Sequence, residues 1–221
     1  MSGPPADPDS PWRFNTEVAQ NFDQIARTNI PNYEAVIDKC LAIAEAKLAP
    51  TDAIIDIGSA TGFTLAQFWQ RGFRNLLGVD SSAAMLQESW REPGVRLIES
   101  DCFPVDDGPF SMVLANWVLH FIDEREAYLA AIYQGLASGG FLLLSEKLSV
   151  SELSTEQYYQ LKRQHGIEDS EIARKRRALD GVLVTRPLQW YLDKLDALGF
   201  VDIELIDAHF SFATILARKP G

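Results

Sequence analysis

Residues Ala53-Ile54-Ile55-Asp56-Ile57-Gly58-Ser59-Ala60-Thr61-Gly62 decide the fold. A short apolar run ends in a loop bounded by Gly58 and Gly62, and residues 63–71 carry a helical pattern. Apolar runs of this length that stop at glycine are buried strands. Glycine lets the backbone turn sharply and come close to a ligand. The motif repeats outward in simpler form. Leu76–Val79 runs into Asp80, Val95–Ile98 leads to Asp101, and Phe110–Ala115 and Phe141–Leu144 are further runs. Helical stretches, 83–90 and 124–136, separate them. Short apolar runs alternating with helices specify βαβ units and a largely parallel sheet.

The rhythm breaks after Leu148. Residues 152–183 carry two polar helices where one crossover belongs, which predicts an inserted helical lid. Pro187–Leu198 is helical, and Phe200–Ile206 and Phe210–Ala217 are strands joined too closely for a crossover, hence an antiparallel hairpin. The expected organisation is one domain over 1–221: a disordered tail (1–11), N-terminal helices (12–50), a core (51–148), the lid (149–184) and the core's end (185–221). The fold class is α/β, a doubly wound and mostly parallel sheet.

Composition narrows the function. Twenty Lys and Arg against 31 Asp and Glu give a net charge of −11, a poor match to a phosphate backbone. Cys40 and Cys102 are too few for a disulfide framework, and His120, His165 and His209 lack ligand spacing, so no metal is expected. Residues 1–11 hold no apolar run of the signal-peptide kind, and no stretch of about 18 apolar residues suits a membrane span. The expectation is a soluble cytoplasmic protein.

In a doubly wound sheet the ligand lies beyond the carboxyl ends of the strands. Three successive ends offer the Gly58–Gly62 loop, Asp80 and Asp101. The Asp80 carboxylate can accept from two ribose hydroxyls, and Asp101-Cys102 can meet an adenine. The G-x-G-x-x-G dinucleotide pattern and the P-loop are absent, which disfavours NAD and nucleoside triphosphates.

This arrangement resembles the class I S-adenosyl-L-methionine (SAM) methyltransferase superfamily over residues 51–147 and 185–218. The resemblance implies seven strands ending in an antiparallel hairpin, with Gly58, Asp80 and Asp101 lining a SAM site. Ala60 stands where the usual loop has its middle glycine. The sequence is similar, over nearly its whole length, to the carboxy-S-adenosyl-L-methionine synthase family. The likeness is densest at Tyr133-Gln134-Gly135-Leu136, Gly139-Gly140 and Leu144-Ser145-Glu146-Lys147, and it extends through Ile30-Pro31-Asn32-Tyr33, Glu171-Ile172 and Lys175-Arg176.

That resemblance implies cofactor contacts at Tyr33, Gly58, Ser59, Ala60, Asp80, Ser81, Asp101, Cys102 and Asn116. It implies a carboxylate-recognising arginine at Arg176, offered across a homodimer, and catalytic roles for Arg176 and Tyr33. It further implies conversion of SAM and prephenate to carboxy-SAM and phenylpyruvate, the product serving tRNA wobble-uridine modification. A methyltransferase acting on a small-molecule acceptor is the alternative, and a noncatalytic SAM-binding subunit a third reading. From spacing, Ile172, Arg176 and Leu179 share a helix face, which calls for an anionic partner, whether a substrate or an Asp or Glu of the chain. His120 is a structural histidine or a general base. Glu146 and Lys147 are expected to pair with each other.

Overall fold

A computed structural model describes residues 11–221; the expected tail, apart from Pro11, lies outside the described residues. Seven strands form one sheet: β1 (Ile54–Ile57), β2 (Leu76–Asp80), β3 (Val95–Glu99), β4 (Phe110–Asn116), β5 (Leu136–Lys147), β6 (Val201–His209) and β7 (Phe212–Arg218). Their order is β3-β2-β1-β4-β5-β7-β6. The first five run parallel, and β7 is antiparallel to both β5 and β6. The chain reverses direction of assembly between β1 and β4, so their carboxyl ends open the crevice where such sheets bind ligands.

Nine helices accompany the sheet among the described residues: α1 (Thr16–Gln20), α2 (Phe22–Asn29), α3 (Tyr33–Lys47), α4 (Phe63–Gln70), α5 (Ala83–Glu88), α6 (Arg125–Gly135), α7 (Glu152–Gln164), α8 (Asp169–Ala178) and α9 (Leu188–Leu198). Successive strand residues point to opposite faces, and this sorts the core into two halves. Ile54, Leu76, Met112, Leu114 and Leu143 pack with Val36, Ile37, Cys40 and Leu41 of α3 and Leu65 and Phe68 of α4. Ile55, Leu77, Val113, Leu142 and Leu144 pack on the other face with Leu129 and Ile132 of α6 and Tyr191 and Leu195 of α9. Burying each such side chain stabilises by roughly 1.5–3 kcal/mol, so continuous apolar strands are what a two-faced sheet requires.

The expected and observed elements agree to within a few residues, with one exception. Strand β5 begins at Leu136, directly after α6 and ahead of the expected run at Phe141, and takes in the Gly139-Gly140 pair. Helix α6 ends at Gly135, one residue short of the expected Leu136, and Gly135 abuts Phe103: a Cβ there would lie 2.4 Å from the Phe103 ring. No helix among the described residues is long and apolar enough to cross a membrane.

Candidate functional site

The loop after β1 is built on left-handed backbone, with Gly58 at φ 68°, Ala60 at 47° and Gly62 at 79°. The Asp80 carboxylate holds this loop. It accepts from the Ala60 N–H at 2.9 Å on one oxygen and from the Ser82 N–H at 2.8 Å on the other. Left-handed backbone costs a non-glycine residue about 1–2 kcal/mol, yet the Ala60 methyl is buried against Ala19 and Met85. That packing, about 0.8 kcal/mol per buried carbon, offsets much of the strain and accounts for alanine at this place.

Gly58 has no such latitude. A Cβ there would sit 2.6 Å from Val118 Cγ2, on a backbone already at φ 68°. Gly58→Ala is therefore expected to destabilise the protein by about 2–4 kcal/mol, from strain plus overpacking. Urea unfolding checks it, and a loss below about 1 kcal/mol would contradict the crowding.

One cavity of about 500 Å³ lies over these strand ends, within the range of small-ligand sites. Tyr33, Gly58, Ser59, Ala60, Asp80, Ser81, Asp101 and Asn116 all line it. Tyr33 stacks between Phe63 at 5.8 Å and Trp117 at 5.0 Å. The Ser82 hydroxyl donates to the Phe14 carbonyl at 2.6 Å, drawing the N-terminal segment over the cavity, and Phe14 meets Phe121 edge-on at 5.1 Å. Trp12 N–H donates to the Ala178 carbonyl at 2.7 Å, and the Tyr158 hydroxyl to the Asn29 carbonyl at 2.9 Å. The N-terminal segment and the α7–α8 pair thus close the cavity from two sides.

The electrostatics vary along the cavity. Asp56 is fully buried, and burial, then the charge of Asp80, pushes it up to about 8. Burial also raises Asp80, against the two N–H groups that it accepts from. At the other end stand three lysines. Burial lowers Lys147 and Lys175, and burial together with Lys147 and Lys175 pulls Lys162 down to about 7. Burial pushes the Tyr33 hydroxyl upward, so it stays protonated and can donate.

Two implied residues lie elsewhere. Cys102 is exposed and its thiol donates to Asp101 Oδ1 at 3.3 Å. Arg176 is exposed and does not line the cavity; it borders a shallow outer groove with Glu156, Arg163 and Asp180. The shared apolar face expected for Ile172, Arg176 and Leu179 is corrected accordingly. The buried arc of α8 is Ile172, Lys175 and Ala178. At about 100° per residue that arc centres on Lys175, and Arg176 points about 100° away from that centre, beyond the edge of the arc at Ile172. An intrachain partner is absent too: among the described residues no hydrogen bond or ion pair engages Arg176. The helix is N-capped by Glu168.

Glu146 does not pair with Lys147, because neighbours on a strand point to opposite faces. Its carboxylate is 2% exposed. It accepts from the Leu119 N–H at 2.9 Å and the Tyr191 hydroxyl at 2.9 Å, and it lies 2.9 Å from His120 Nδ1. Arg125 completes the cluster, donating to the Leu119 and Val184 carbonyls at 2.7 Å each and to Tyr191 at 3.1 Å. This network anchors the segment after β4 and fixes His120, which lines the cavity. Sequence reasoning passed over it because its members come from four separate stretches with no shared spacing.

The polar atoms test what the cavity can take. Ser59 Oγ and Asn116 Nδ2 are buried without a protein partner, and both residues line it. The Ser145 hydroxyl donates to Asn116 Oδ1 at 2.7 Å and so fixes the amide. Free donors and acceptors beside a carboxylate and an aromatic wall fit a nucleoside joined to an amino acid, which is the composition of SAM.

Comparison with known proteins bears on the same residues. Residues 55–144 match the methyltransferase domain family. The carboxy-S-adenosyl-L-methionine synthase of Nautilia profundicola is 32% identical, over 94% of this chain and 94% of its own. That of Salmonella paratyphi C is 31% identical, over 95% and 92%. Among solved structures, magnesium protoporphyrin IX methyltransferase from Synechocystis with bound SAH superposes with a TM-score of 0.67 at 14% identity, covering 93% of this chain and 96% of its own. Human N-acetylserotonin methyltransferase in complex with SAM gives 0.61 at 18%, covering 93% and 56%. At such identities these two show the fold, that of the class I methyltransferases.

Proposed function

Because the chain belongs to the carboxy-S-adenosyl-L-methionine synthase family and is a SAM-utilising transferase, we propose that it converts SAM and prephenate to carboxy-SAM and phenylpyruvate. The product would serve as the carboxymethyl donor for tRNA wobble-uridine modification, with the enzyme a cytoplasmic homodimer. The observation that carries this reading is the reach of the likeness to the synthases. It spans 94% of the chain, well beyond the part that matches a methyltransferase domain in general.

When bound, SAM supplies an acidified sulfonium methyl that exchanges a proton for CO2, while prephenate gives up carboxyl and hydroxide and leaves as phenylpyruvate with water. The chain's own residues have defined tasks in this reading. Asp80 accepts from the ribose hydroxyls, and Asp101 and Ser81 face the nucleoside. Asn116 and Ser59 meet the amino-acid portion with neutral groups. Tyr33, protonated and clamped between rings, donates its hydroxyl and keeps water out on the α3 side. Exclusion of water protects a reactive carbon centre and strengthens each charge interaction.

Arg176 has the outward setting of a residue offered to a second copy, where its guanidinium would hold the new carboxylate. A charged hydrogen bond is worth about 1.5–3 kcal/mol, so Arg176→Ala is expected to lose about tenfold to a hundredfold preference for carboxy-SAM over SAM, by calorimetry. Equal affinities in the unaltered protein would remove the arginine from the site. Mixing Arg176→Ala with Asp80→Ala chains is expected to recover turnover that neither has alone, as one intact site re-forms across the pair.

The functional test is the mass of the small molecule that copurifies. A species heavier than SAM by one CO2, and its formation on adding prephenate, supports the synthase. Plain SAM, no reaction with prephenate and methyl transfer to an acceptor would replace this reading with the methyltransferase.

A further inference from the structure

Three lysines from three different elements line one wall of the cavity: Lys147 at the end of β5, Lys162 on α7 and Lys175 on α8. Lys162 and Lys175 are only 7% and 8% exposed. The Lys147 and Lys162 ammoniums lie 4.9 and 4.7 Å from the centre of the same ring, Tyr158, and that of Lys175 lies 5.6 Å from Trp12. No acid forms an ion pair with any of them among the described residues. Glu171 is the one carboxylate whose charge reaches Lys162 and Lys175, and it is itself exposed.

Packing like charges together out of water is costly unless an anion joins them. The ring contacts are too weak to balance that cost. The wall is also placed for a second ligand. Asp80 and Asp101 occupy the β2 and β3 ends, whereas Lys147 ends β5, on the far side of β1 and β4. Tyr158 and Phe212 add aromatic surface beside the lysines, their rings 5.2 Å apart.

We propose that Lys147, Lys162 and Lys175 form the co-substrate subsite, which takes a small dicarboxylate carried on an unsaturated ring and seats it against Tyr158 and Phe212. This deepens the prephenate reading and rests on it for the identity of the ring compound. The subsite itself follows from three lysine amines gathered on one cavity wall with no acid paired to them among the described residues, away from the Asp80 and Asp101 strand ends.

The experiment titrates SAM-loaded protein with three probes: prephenate, phenylpyruvate with its single carboxylate, and 2-phenylsuccinate as an unreactive ring dicarboxylate. Lys162→Gln and Lys175→Gln are each expected to weaken prephenate by about tenfold or more, the loss of one charged hydrogen bond. Phenylpyruvate should bind less tightly and lose less. SAM affinity should stay within about twofold, which reports that the variant is folded, and Lys162→Arg, which keeps the charge, should keep most of the affinity.

Unchanged prephenate binding and turnover in both glutamine variants would overturn the subsite while leaving the synthase reading in place. Lysine-dependent binding of 2-phenylsuccinate by a protein indifferent to prephenate would support the subsite and sink the prephenate reading. Failure of the SAM-loaded protein to bind either dicarboxylate would overturn the subsite outright.

Discussion

Asp80→Ala is expected to weaken SAM binding by at least about 100-fold, since two charged hydrogen bonds to ribose are worth roughly 3–6 kcal/mol together. A second loss adds to the first. The same carboxylate holds the N–H groups of Ala60 and Ser82, and Ala60 sits on left-handed backbone at φ 47°. Without that acceptor the Ala60 N–H loses its partner, and the loop is left with its backbone bonds to Val79, Ser59 and Trp90, so the free protein keeps its curvature less firmly. Asp80→Asn keeps one acceptor oxygen and should fall between the two. Calorimetric titration decides. A dissociation constant within about threefold of the unaltered protein would mean that Asp80 serves the loop alone, because even one lost charged hydrogen bond exceeds that.

Glu146→Ala is expected to cost about 3–5 kcal/mol of stability, the range for removing one partner from a buried ion network. Arg125 is 5% exposed and would stay charged beside Tyr191, while the Leu119 N–H would lose its acceptor. For a protein of this size such a loss lowers the melting temperature by roughly 6–20 °C. Glu146→Gln preserves shape and one acceptor, so it should cost less. Thermal unfolding of both variants gives the answer; a change under about 1 kcal/mol for the alanine variant would show that water re-enters and replaces the carboxylate.

The sheet was legible in the sequence because a strand buried on both faces is a continuous apolar run, and Ile54–Ile57 and Leu142–Leu144 contain almost nothing else. Three strand ends carrying a glycine loop, Asp80 and Asp101 then placed the nucleoside end. The rest of the site was not local. Lys147, Lys162 and Lys175 look in sequence like any solvated lysines, and only the folding of α7 and α8 over the cavity turns them inward. Spacing put Ile172 on a buried face but gave that face to Arg176 at i+4, whereas the folded helix gives it to Lys175 at i+3. Arg125, His120, Glu146 and Tyr191 meet because α6 and α9 pack on the same face of β5, a tertiary fact. Ala60 shows the opposite case, where a single residue departs from a familiar loop and the backbone keeps its course.

The strand order also governs how the chain must assemble. The pairs β1–β2 and β2–β3 join near neighbours in sequence, whereas β5 meets β7 only after α7, α8, α9 and β6 have been traversed. Contacts that distant are slow to form. Until the hairpin docks, β5 presents an unpaired edge carrying Phe141, Leu142, Leu143 and Leu144, the kind of segment that recruits other chains. The step that completes the sheet is therefore also the one that protects the polypeptide from aggregation, and refolding yield should be most sensitive to protein concentration before β7 is in place.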